Sequence, residues 1–163
     1  MNGLSPIAYS LDFAANAGGM TIAALVAARL AGRVATRTVI VVGQIAALAA
    51  GVVMLVGAVW FDTPLVVAIV CFFVLMTAQG LIGPNGGALA SAEVPDHPGT
   101  GSAVLGFVQW VAAGTIAPIA GLGGEHTAVP MALLMIAGAA ASMVGLLVLA
   151  RPQATPSLVD GPP

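Results

Sequence analysis

Apolar residues in this chain do not recur at the three-to-four spacing of a half-buried helix, nor do they alternate as in a strand. They run almost unbroken. A helix that is hydrophobic all round belongs in a core or in lipid. Crossing a hydrocarbon layer about 30 Å thick takes about 20 helical residues. Four runs are long enough: residues 38–61, 64–90, 102–122 and 128–150. A fifth, residues 12–31, is weaker. Asn16 lies inside it, Arg29 lies near its end, and its uncharged stretch runs only from Phe13 to Ala28. An arginine near a helix end can reach the lipid head groups, which keeps this segment a span. The pattern predicts an all-α membrane protein with five transmembrane helices.

Turn chemistry divides the spans. Phe61-Asp62-Thr63-Pro64 reads as a tight hairpin, with Pro64 suited to a first helical turn. Gly123-Gly124-Glu125-His126-Thr127 reads as a second short turn, and Ala92 to Gly99 as the longest internal loop. Four prolines between Pro152 and Pro163, with no helical periodicity, predict a disordered tail over residues 151–163.

The arginines suggest an orientation. Arg29, Arg33 and Arg37 fall between the first two spans and Arg151 follows the fifth, so an even number of crossings puts all four on one side. Cytoplasmic loops are enriched in arginine and lysine. The expected topology in a cell inner (plasma) membrane therefore has the N-terminus outside and the tail in the cytoplasm. Tyr9, Trp60 and Phe61 would then lie near the outer interface, where amphipathic rings are favoured.

Composition narrows the classes. Of 163 residues, 60% are apolar and 6% charged, and the net charge is −2. A soluble domain carries about 25% charged residues, so a soluble enzyme, a nucleic-acid binder and a disordered chain are all excluded as expectations. Met1 to Leu11 lacks the positive start of a signal peptide. Cys71 sits within an apolar run and reads as a packing residue. No nucleophile–histidine–acid set, phosphate loop or cofactor motif occurs, so neither catalysis nor a cofactor is expected. His97 beside Asp96 and Glu93 matches no metal spacing and reads as a solvated loop.

Stripes of mainly small residues mark candidate packing faces: Gly43, Ala47 and Gly51 at four-residue spacing; Gly138, Ser142 and Gly145; and Ser102, Gly106, Gln109 and Ala113. In lipid, helices associate through close backbone approach, although an Ala/Gly-rich composition alone also yields such spacing. The polar residues within spans are Asn16, Gln44, Gln79, Asn85, Gln109 and Thr115. Each amide should face a neighbouring helix or a wet cavity, because hydrocarbon offers no partner. Asn16, Gln79, Asn85 and Gln109 are the substrate-path candidates; an interhelical hydrogen bond is the alternative role. Gly83, Pro84, Gly86 and Gly87 predict a bend or opening of the third span, or simply its end, and Pro118 raises the same question in the fourth.

Three stretches carry a resemblance. Tyr9-Ser10-Leu11-Asp12-Phe13-Ala14-Ala15-Asn16-Ala17 resembles the start of the eighth helix of Bcr/CflA-type drug-resistance transporters, which are proton-coupled multidrug efflux members of the major facilitator superfamily. Gly83-Pro84-Asn85 resembles their tenth helix, and Gly99 to Gln109 the start of their eleventh. Gly86-Gly87 departs from the alanine or threonine more often found there. The resemblance spans residues 5 to 150. It implies a partial major-facilitator C-terminal bundle, helices eight to twelve, exporting small hydrophobic substrates. It further implies a basic cytoplasmic loop at Arg29, Arg33 and Arg37, with Arg29 and Arg33 serving an inside gate, and Asn16, Asn85 and Gln109 near the central cavity or its hinges. The expected partners are the lipid bilayer and either an N-terminal transporter half, which in that family carries the proton-coupling acid, or further copies of the chain. The alternative is a free-standing small membrane protein that acts as an oligomer or subunit.

Overall fold

The computed structural model describes residues 5–61, 64–92, 96, 98–121 and 127–148. Within these it holds five α-helices and no named strand: α1 (Pro6–Leu30), α2 (Thr36–Trp60), α3 (Leu65–Ala92), α4 (Pro98–Ala120) and α5 (Val129–Val148). All five are long and apolar enough to cross a membrane. The chain is an all-α protein with five candidate spans.

Helix starts shift for local reasons. The first helix begins at Pro6, six residues before the expected start. Ser5 caps it, its Oγ accepting from the Ala8 amide at 3.2 Å, and Pro6 follows without a donor to strand. Asp12 therefore lies within the helix rather than at its mouth. At 1.5 Å per residue it stands about 9 Å from the helix start. The fourth helix starts at Pro98, which shortens the expected long loop to residues 93–97. Of those only Asp96 is described. The connection from α1 to α2 turns on Gly32, whose φ of 80° lies in the left-handed region that glycine enters at little cost. The Arg33 and Val34 amides both donate to the Leu30 carbonyl there, at 2.9 and 3.0 Å.

α2 and α3 form the centre. α3 takes α1 on one flank and α2 takes α5, while α4 makes only slight contact with α3 and α5. Small residues set the close approaches. A Cβ added to Gly43 would meet Ile82 and the Ala78 carbonyl on α3, and one on Gly51 would meet Ile136 and Met135 on α5. The α2 stripe thus serves two neighbours. Gly80 lies tightest of all, with the Met20 carbonyl and Ala23 of α1 occupying the place of its side chain. The other expected stripes behave differently. Nothing among the described residues lies within 4 Å of a Cβ at Gly106, Gly138 or Gly145.

The centre is divided along its length. Toward the end of α2 that bears Trp60, the residues Ala50, Met54, Ala68, Cys71 and Ala132 form a dry cluster in which Met54 is 1% exposed. At the opposite end Arg37 Nη2 donates to the Leu146 carbonyl at 3.2 Å, one α5 turn beyond Ser142. A cation at a helix C-terminus opposes the partial negative charge of the unpaired carbonyls. This contact brings the start of α2 and the end of α5 together, as the parity of the arginines requires. Arg151 itself lies outside the described residues, as do the proposed tail and Asp62, Glu93, His97, Glu125 and His126.

Candidate functional site

Between the dry cluster and the Arg37 contact, α2, α3 and α5 line a partly open cavity of about 280 Å³. Helical spacing brings its walls together. Gln44 and Ala47 come from α2, Leu75, Gln79 and Ile82 from α3, and Met135 and Ser142 from α5, among others. Gln44 is 2% exposed, and its Nε2 donates to Ser142 Oγ at 2.6 Å. Its Oε1 is buried with no hydrogen-bond partner. Leaving a buried acceptor unpaired costs about 1–3 kcal/mol. Among the described residues, no ionised side chain lines the cavity.

A second polar group lies along the seam of α1 and α3. Asn16 Nδ2 donates to Asp12 Oδ2 at 3.3 Å, one turn earlier on α1. Asn16 Oδ1 and, on α3, Thr77 Oγ1 are buried without partners. Gly19 stands against Thr77, where an added Cβ would come within 2.6 Å of the hydroxyl. The seam therefore holds one carboxylate, one amide and one hydroxyl on two parallel helices.

The substrate-path candidates separate. Gln79 lines the cavity and Asn16 the α1–α3 seam. Asn85 is half-buried and spends its amide on its own helix, donating to the Leu81 carbonyl at 2.8 Å. Gln109 is exposed on α4. The glycine–proline segment neither ends nor interrupts α3, which stays helical from Leu65 through Pro84 to Ala92. Space stands open around Gly83, Gly86 and Gly87, so close packing does not account for them. Pro118 lies in the last turn of α4, where it breaks little. Arg29 and Arg33 are exposed at the α1–α2 connection, while Arg37 is half-buried against α5.

Sequence pattern passed over the pairing of Gln44 with Ser142, although Ser142 lies on a stripe of small residues and Gln44 is next in sequence to Gly43 of another. It also passed over Thr77, whose apolar neighbours hide it, and placed Asp12 at the span's edge. The one available signal was Ser5-Pro6, which sets the helix start ahead of Asp12.

Comparison with known proteins gives one relative to set beside this geometry. The chain is 26% identical over 133 residues to YdgK of Bacillus subtilis (strain 168), an uncharacterized MFS-type transporter. The match covers 82% of the chain and 33% of the relative, so the chain spans about a third of that protein's length. No family model and no solved structure matches.

Proposed function

We propose that this chain is one part of a proton-coupled permease of the major facilitator type that exports small hydrophobic compounds, and that it works with a companion set of membrane helices. The similarity to an MFS-type transporter across 82% of the chain carries this reading. The packing supports it. None of the described α4 side chains is buried, and Phe107 and Trp110 are 70% and 78% exposed. The polar and small residues Ser102, Gln109 and Ala113 share that uncovered helix. An uncharged amide facing lipid is unfavourable, so a further helix set that covers Gln109 completes the bundle. Substrate sites in this type of transporter form where the repeats meet, and α1 and α4 supply the surface for that meeting. In this reading the arginine end faces the cytoplasm, and the coupling acid belongs to the companion helices.

The experiment is co-expression with a companion comprising the remaining helices, read by efflux of a hydrophobic fluorescent dye from energised cells. Efflux is expected only when both parts are present, and Gln109→Leu is expected to reduce it several-fold. A single defined homo-oligomer in cross-linking, with no efflux from the pair, would instead establish a free-standing membrane protein.

A further inference from the structure

We infer that the α1–α2 connection binds an acidic phospholipid, its phosphate held by Arg29 and Arg33 and its acyl chains lying on apolar surface that α1 and α2 leave uncovered beneath. The inference does not rest on the proposed transport role, because both arginines and both helices belong to this chain.

Charge selects the headgroup. Arg29 lies in the last turn of α1 and Arg33 follows the Gly32 turn, and both are exposed. Among the described residues neither guanidinium has a hydrogen bond or an ion pair. Arg37, by contrast, is already engaged with the Leu146 carbonyl. The described acids are Asp12 and Asp96. Asp12 sits toward the opposite end of α1, and Asp96 lies exposed in the α3–α4 connection, paired with neither arginine. Two positive charges therefore stand uncompensated at a helix end, the level of lipid phosphates in a bilayer-spanning chain. The guanidinium fork matches a pair of phosphate oxygens. The chain as a whole carries a net charge of −2, so attraction of an acidic lipid has to be local to these residues.

The helices supply the apolar half. α1 and α2 each pack on α3 but hardly on each other, although only residues 31–35 join them. Beneath the connection Leu25 and Val26 on α1 and Val42 and Ile45 on α2 stay exposed. α3 is loosely packed toward the same end, where nothing among the described residues lies within 4 Å of a Cβ at Gly83, Gly86 or Gly87. A soluble anion would use the arginines alone, and a neutral lipid the apolar surface alone. An acidic phospholipid uses both, and basic groups beside a membrane surface attract such lipids.

The test uses the full chain in nonionic detergent micelles, titrated with dioleoylphosphatidylglycerol, dioleoylphosphatidylcholine or inorganic phosphate and followed by thermal unfolding. A ligand of the folded chain raises the midpoint according to its concentration relative to its dissociation constant. Phosphatidylglycerol is expected to raise it, and the other two probes to leave it unchanged. In Arg29→Gln/Arg33→Gln the phosphatidylglycerol needed for a given shift should rise roughly thirtyfold. Neither side chain has a described partner to lose, so this variant should unfold near the parent midpoint in lipid-free micelles, and the contrast between the two lipids in the parent stands without it. An equal shift from both lipids, a shift from phosphate alone, or an undiminished shift in the double variant would overturn the inference. So would the absence of any shift with phosphatidylglycerol, which would leave the two arginines to carboxylates of the companion helices.

Discussion

Gly80 and Gly83 stand three residues apart on α3, and their substitution should act in opposite directions. At Gly80 the α1 backbone occupies the place of a side chain, so Gly80→Ala forces the two helices apart. Overpacking costs about 1–3 kcal/mol. At Gly83 the surrounding space is open, and Gly83→Ala gains roughly 0.5–1 kcal/mol from the stiffer backbone. Thermal unfolding in one detergent should place the two variants on opposite sides of the parent. No loss for Gly80→Ala would mean that α1 and α3 do not meet as described. Gln44 and Ser142 offer a second contrast. Ser142→Ala strands both polar ends of Gln44 and should destabilise by about 1–3 kcal/mol, whereas Gln44→Leu removes the stranded amide and should cost little. The double variant should then recover most of the Ser142→Ala loss, and plain additivity would show that the two side chains do not pair. None of these pairings was legible in sequence, because a stripe of small residues identifies a packing face without identifying its neighbour. The α2 stripe met two partners, and the glycines of the α5 stripe met none.

Element by element, the sequence was far more informative. Unbroken apolar runs identified all five helices, because lipid demands a full span wherever it meets the chain. Errors gathered at ends, where capping rather than hydropathy decides. Ser5 drew α1 outward past Asp12, and the helix beginning at Pro98 took the last two residues of the expected loop. The helix through Pro84 is a related case. A proline removes one backbone hydrogen bond and crowds the carbonyl four residues earlier, here that of Gly80, yet α3 continues. The segment should open locally more readily than the first half of its helix. Hydrogen exchange should show residues 80–88 less protected than residues 66–76, and Pro84→Ala should remove the difference. Equal protection in the parent chain would exclude a hinge at this position.

At the scale of the whole molecule, α2 and α3 hold α1 and α5 firmly while α4 stands almost alone. α4 presents Gln109, which the companion of the proposed function would cover. The same imbalance explains why function is only partly legible. In the proposed reading, transport rests on surfaces that meet a companion, and one sequence specifies those surfaces without specifying what meets them. Asp12→Asn should leave efflux by the assembled pair proton-driven, since the coupling acid is assigned to the companion; loss of coupling in that variant would move the acid into α1. All of these expectations depend on five crossings of a bilayer that leave the α1–α2 connection and the start of α5 on opposite faces. Single cysteines at Arg33 and Thr127, in a Cys71→Ala background, can be probed in intact cells with a membrane-impermeant maleimide. The expected result is labelling of Thr127→Cys from outside and of Arg33→Cys only after permeabilisation. Labelling of both positions from the same side would contradict it.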